Sequence, residues 1–171
     1  MYKFVQKMKN KKGSISIEAL VTMIIFVMLA GFLVDLLMVS YKHYTVSRAG
    51  SYLARTVGIQ SGILPNTPNQ FPGGSENYTT SYEMYNKLNE TFSSAGVKEN
   101  QWRAFINGQR LTPSTQIQGD YLDTFTIEIQ TDYTWIMTKN IVPPLDRVGT
   151  AKAVRSVVGE YKVRTEDWYL E

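Results

Sequence analysis

Lys11-Lys12-Gly13-Ser14-Ile15-Ser16-Ile17-Glu18 joins a basic leader to an apolar run, and this junction decides the architecture. Ahead of it lie Lys3, Lys7 and Lys9, with no Asp or Glu from Met1 to Gly13. Beyond it, from Ile15 to Val39, Glu18 and Asp35 are the only ionisable side chains. As a helix that run is roughly 37 Å long at about 1.5 Å per residue, against a hydrocarbon core of about 30 Å. It is long enough to span a bilayer. A carboxylate in such a span costs about 2.5–3.5 kcal/mol at the bilayer centre and less near an interface. Glu18 is therefore read as waiting for a partner.

Outward from this segment, helical character is expected to continue. Tyr41 to Val57 contains no proline, and Val46, Ala49, Leu53 and Val57 recur at three- and four-residue steps, the spacing of one helix face. Gly50, Ala54 and Gly58 form a second row of small residues that lets another backbone approach closely. Two coverings fit that row: another subunit, or the chain's own domain, which is the favoured reading. Residues 14–57 are thus expected as one helix, with the membrane segment at 15–39. Tyr41, Lys42 and Tyr44 fall where an interfacial aromatic and basic belt belongs.

Residues 58–77 carry Gly62, Pro65, Pro68, Pro72, Gly73 and Gly74, and read as a linker loop. Residues 78–171 read as a small α+β domain. A short helix is expected over Ser81–Ala95, with Tyr82, Tyr85, Leu88 and Phe92 on one face and Gly96 as its stop. Trp102–Ile106 and Gln109–Thr112 flank Asn107-Gly108, a hairpin-turn dipeptide. Tyr121–Met137 reads as a strand region in which Phe125, Ile127 and Ile129 alternate with polar residues, and Pro143-Pro144 closes it. Thr150–Val163 is expected to pair antiparallel with it. Trp102 and Trp135 are expected in cores, whereas Trp168-Tyr169 suits a contact near the terminus. Expressed alone, 78–171 is expected to be soluble and marginally stable, because a domain this small without disulfides has little core.

Composition limits the function. The formal net charge of +3 is a property of the leader: without its five lysines the chain has thirteen basic against fifteen acidic residues, a charge of −2. No nucleic-acid surface is implied. The lysines hold the N-terminus in the cytoplasm and place the residues after about 40 outside. With no cysteine and one histidine, His43, a zinc site is not expected. Asp120 and Asp123 lack the glycine and distal glutamate of a calcium loop and read as turn and strand-start residues. Asn77-Tyr78-Thr79 and Asn89-Glu90-Thr91 fit a glycan acceptor pattern that is common by chance. No catalytic constellation, metal or cofactor is expected, and the chain is not read as an enzyme.

The lysine-rich leader, Gly13, and Glu18 as the fifth residue after it resemble a type IV prepilin. The short leader and the run Ser-Ile-Ser-Ile-Glu-Ala-Leu-Val are most similar to the tight-adherence (Tad/Flp) branch, and within it to TadE-like minor pilins or pseudopilins. The resemblance covers residues 1 to about 57. It implies a leader peptide at 1–13, recognition through Lys11 and Lys12, and cleavage by a prepilin peptidase between Gly13 and Ser14, with N-methylation of Ser14 as a further step. It also implies that Glu18 pairs with the Ser14 amine of a neighbouring subunit during assembly on a pilus platform. The partners are then other pilin subunits, the peptidase, the platform and the membrane; the end point is an extracellular filament. Many type IV pilins have Phe after the cut, and major Flp pilins have Glu-Tyr and little beyond the helix. Here Ser14 follows the cut, Ala19 follows Glu18, and more than a hundred residues follow the helix, which argues against a major pilin. The rival reading from another class is an unprocessed single-pass membrane protein whose outer domain binds a ligand or partner.

Overall fold

The computed structural model describes residues 2–68, 71, 74–137 and 148–161, with side chains from residue 17 onward. The architecture is α+β: a long N-terminal helix followed by a small domain with antiparallel sheets and a short helix. Helix α1 runs Tyr2–Gln60, so it starts ahead of the expected 14 and extends past the expected end at 57. It stops where Ser61 takes φ 50° and Gly62 φ 141°, conformations that leave the helical basin. The described chain forms two compact units. One contains α1 through Met38 together with Thr134–Met137; the other contains Val39–Tyr133 and residues 148–161.

The second unit holds the sheet. Its strands are β1 (Gly62–Ile63), β2 (Trp102–Ile106), β3 (Gln109–Arg110), β4 (Ile117–Gln118), β5 (Thr124–Tyr133) and β6 (Gly149–Val158). Four of them form an antiparallel sheet in the order β3-β2-β5-β6, and β1 pairs antiparallel with β4. The β2–β3 turn is made by Asn107 and Gly108, both at positive φ, as the dipeptide predicts. Asn107 also accepts from the Thr126 amide through its side chain, fastening the turn to β5. The alternation along β5 buries Phe125, Ile127, Ile129 and Thr131. β6 pairs antiparallel with β5 from Gly149 to Val158, as expected, but it ends there: Gly159, Glu160 and Tyr161 are not strand, and residues 162 and 163 of that expectation lie outside the described residues.

Helix α2 (Ser81–Ser94) begins with a reciprocal cap. The Thr80 hydroxyl accepts from the Glu83 amide at 3.3 Å, and the Glu83 carboxylate accepts from the Thr80 amide at 2.9 Å. It ends in a Schellman motif: Gly96, at φ 71°, donates to the Ser93 carbonyl, and Val97 donates to that of Phe92. Its buried positions are Ser81, Met84, Leu88 and Phe92. Tyr82 is exposed, contrary to expectation, because it lies about 120° around the helix from Leu88 at 3.6 residues per turn.

The core joins α1, α2 and the sheet. Val46, Ala49, Leu53, Ala54 and Val57 of α1 pack with Met84, Leu88 and Phe92 of α2, and with inward residues of β2, β5 and β6. The small row of α1 is covered by the chain itself, the favoured of the two readings. A Cβ on Gly50 would stand 3.6 Å from that of Ala153, and one on Gly58 would press into Val157. Small residues on both sides let the helix lie close on β6. The Arg155 guanidinium adds a hydrogen bond to the Ser47 hydroxyl at 2.9 Å.

Three further local expectations change. The stretch read as linker, 58–77, starts inside α1 and carries β1, whose Ile63 is fully buried, so its first residues are core. β3 ends at Arg110, because the Thr112 amide bonds to the Thr115 hydroxyl in a turn. The strand expected over 121–137 is confined to 124–133, and Trp135 belongs to the other unit. Tyr121 to Asp123 form a turn in which the Asp120 amide donates to the Asp123 carboxylate, the turn role expected of that pair, while the strand begins one residue later at Thr124. Pro143 and Pro144 lie outside the described residues.

Candidate functional site

The apolar part of α1 presents an exposed surface. Ile17, Leu20, Met23, Phe26, Val27, Leu33 and Leu37 are all more than half exposed, and the helix is long and apolar enough to cross a membrane. Its two carboxylates have different surroundings. Glu18 stands one turn beyond Ser14, so the two positions share a helix face. Its carbonyl accepts from the Thr22 hydroxyl at 2.8 Å, while its carboxylate is exposed and has no hydrogen-bond or ion-pair partner among the described residues. Lys11, Lys12, Gly13 and Ser14 lie in the helical backbone; their side chains fall outside the described ones.

Asp35 is the opposite case. It is 1% exposed. Its carboxylate accepts from the Ile136 amide at 3.0 Å and from the Met137 amide at 2.9 Å. One turn earlier on the helix, the Phe32 ring stacks on that of Trp135, with centroids 6.0 Å apart and planes 4° from parallel. The Met137 Cβ lies 3.3 Å from where a Cβ on Gly31 would stand. Gly31, Phe32 and Asp35 thus form a seat for Trp135, Ile136 and Met137. The charge of Asp35 is evident in the sequence but its partners are not, since the amides it caps are about a hundred residues away. The cost of a carboxylate in an apolar run was the available signal.

The second unit carries a groove of about 330 Å³ between α1 and α2, lined by Tyr41, Tyr44, Arg48, Tyr52, Lys87 and Thr91, among others. The Lys87 ammonium lies 5.4 Å from the centre of the Tyr52 ring. Among the described residues no acid, nucleophilic thiol or histidine lines it. His43 is exposed elsewhere, its ring 5.9 Å from that of Tyr133. Among the described residues no group of three His, Asp or Glu side chains converges to hold a metal ion. Trp102 fills the core against Phe92, centroids 5.1 Å apart, and donates from Nε1 to the Asn89 side chain at 3.3 Å. Asn89 therefore has a structural role independent of any glycan. Trp168 and Tyr169 lie outside the described residues.

Tyr78 gives the second unit a pH dependence. It is 5% exposed and meets Phe71 edge-on at 4.9 Å. Burial pushes its phenol from 10.0 up to about 12, against a smaller opposing effect of a backbone hydrogen bond at Leu64. The unfolded chain releases this proton near pH 10, whereas the fold retains it. The associated stability is whole below pH 10 and is lost as pH rises through about 12. The melting temperature is therefore expected to fall across that window. Tyr78→Phe should flatten the fall, leaving the part due to Tyr85, whose phenol is raised by its hydrogen bond to Glu99. Equal slopes in parent and variant would contradict this.

No family model matches this sequence, and no curated protein or solved structure matches it either.

Proposed function

We propose that the chain is a pilin-like structural subunit: a minor pilin or pseudopilin of a Tad-type or related type IV filament system, made as a prepilin and anchored in the cell membrane before assembly. The observation that carries this reading is the contrast between the two carboxylates of the apolar helix. Asp35 is capped within its own unit, whereas Glu18 is exposed and, among the described residues, unpaired at the start of the same apolar surface. A plain anchor has no use for such a charge. In a bundle of apolar helices a carboxylate is tolerated only against a close positive partner. Cleavage after Gly13 creates one, the free amine of Ser14 on an adjoining subunit. A register that left Glu18 unpaired would cost several kcal/mol, so the pair would fix the axial position of each incoming subunit.

The role is that of a substrate and a building block. Prepilin peptidase recognises Lys11 and Lys12, cuts before Ser14, and the helix then leaves the bilayer for the filament through the assembly platform. The test is intact mass. Co-expression with a prepilin peptidase is expected to remove residues 1–13 from the parent and nothing from Gly13→Leu, since a branched side chain at the cut blocks approach to the backbone. An uncut parent would support the unprocessed membrane protein instead. A mature N-terminus beyond residue 30 would identify a secretory signal peptide.

A further inference from the structure

We infer that Thr134–Met137, the segment following β5, is itself a membrane-inserted element, seated in the outer leaflet of the bilayer against the helix that crosses it. The inference rests on the reading of α1 as a membrane span. If the hydrocarbon core begins near Ile15 or Ile17, Asp35 lies roughly 27–30 Å along the helix at about 1.5 Å per residue. That is the outer edge of a core about 30 Å thick. Gly31, which Met137 overlies, is one turn deeper. The seat therefore lies at the level of the outer leaflet.

Backbone that is neither helix nor barrel persists at that depth only where its polar groups are satisfied by protein. Here two of its amides are. The Ile136 and Met137 amides both donate to the Asp35 carboxylate. The acid and the amides would each be costly in lipid alone, and their hydrogen bonds lower the cost of both. The side chains fit the same setting: Ile136 and Met137 are 49% and 55% exposed, on a segment flanked by the exposed apolar surface of Val34, Leu33 and Leu37. An apolar cleft formed by Phe26, Val27, Ala30, Gly31, Val34 and Met137 continues this surface. Trp135, stacked on Phe32, stands where indole rings gather at a membrane interface. The occupant of this surface is lipid acyl chain. Asp35 is thus a positioning residue, and its carboxylate is the clip that holds a second apolar element in the bilayer.

The experiment uses the full-length chain in phosphatidylcholine vesicles at low protein density, with the emission of Trp135 taken as the difference between parent and Trp135→Phe. Lipid brominated on its acyl chains is expected to quench most of that emission, and iodide in the outer water to quench little. A Phe26→Trp probe in the Trp135→Phe background reports on the helix independently. In Asp35→Leu, which leaves the two amides unpaired, Trp135 is expected to lose bromolipid quenching and gain iodide quenching while the Phe26→Trp signal stays unchanged. If iodide rather than bromolipid quenches Trp135 in the parent while Phe26→Trp is quenched by bromolipid, the loop inference is overturned and the span stands. If bromolipid quenches neither, the span itself is wrong and the inference falls with it. Emission indifferent to both quenchers would place protein, not lipid, over the segment and would also overturn it.

Discussion

Residues 78–171 alone are expected to remain unfolded, while residues 39–171 fold cooperatively. The structure turns the marginal stability expected of the shorter piece into an outright loss. Val46, Leu53, Val57 and Ile63 are all 1% exposed or less, and all precede residue 78. Full burial of each such side chain stabilises by about 1.5–3 kcal/mol, so the four together approach the whole stability of a small domain, about 5–15 kcal/mol. Truncation also removes β1 from its pairing with β4 and the Leu64 carbonyl from the Ser81 amide at the start of α2. The expected result is a collapsed amide proton spectrum and no thermal transition for 78–171, against a dispersed spectrum and a cooperative transition for 39–171. A folded 78–171 melting at the same temperature as 39–171 would mean that α1 is not part of this core.

The second large effect is on assembly. Glu18→Ala is expected to insert in the membrane and be cleaved much as the parent is, since loss of a charge makes the span more apolar. Incorporation into filaments should fall at least tenfold. The basis is the several kcal/mol that a buried, unpaired ammonium costs, with about 1.4 kcal/mol equal to a factor of ten. Glu18→Gln should fail similarly, because an amide keeps the shape and loses the charge. Asp at this site should support partial incorporation, its shorter side chain holding the carboxylate away from the amine. The measure is the amount of the protein in sheared surface material at equal membrane levels. Equal incorporation of Glu18→Ala and parent would remove Glu18 from the assembly contact and favour a plain anchor.

Elements with strong local signals were legible in the sequence. The Asn107-Gly108 turn, the β5 alternation and the Gly96 stop each depend on a few neighbouring residues, and each lies where the local chemistry puts it. The buried face of α1 was readable from the spacing of Val46, Ala49, Leu53 and Val57. That the chain's own domain covers the small row was the favoured reading, but the strand that does so could not be named, because Ala153 and Val157 approach Gly50 and Gly58 from about a hundred residues later. Tyr82 was misplaced because an aromatic residue at the start of a short helix looks apolar whichever way it points. The end of β5 was missed for a related reason: Thr134 to Met137 continue its composition, and only Asp35, far earlier in the chain, draws them out of the strand. For the candidate site, the position of Glu18 was plain from Gly13 and the length of the apolar run. The different situation of Asp35 needed the structure.

Whether the chain is a processed filament subunit is decided by the N-terminus of the protein recovered from the surface of cells that contain a prepilin peptidase and its filament system. The sheared fraction is expected to contain a chain beginning at Ser14, and Gly13→Leu to remain in the membrane at full length and be absent from that fraction. Full-length parent retained in the membrane, with none at the surface despite an active peptidase, would contradict it.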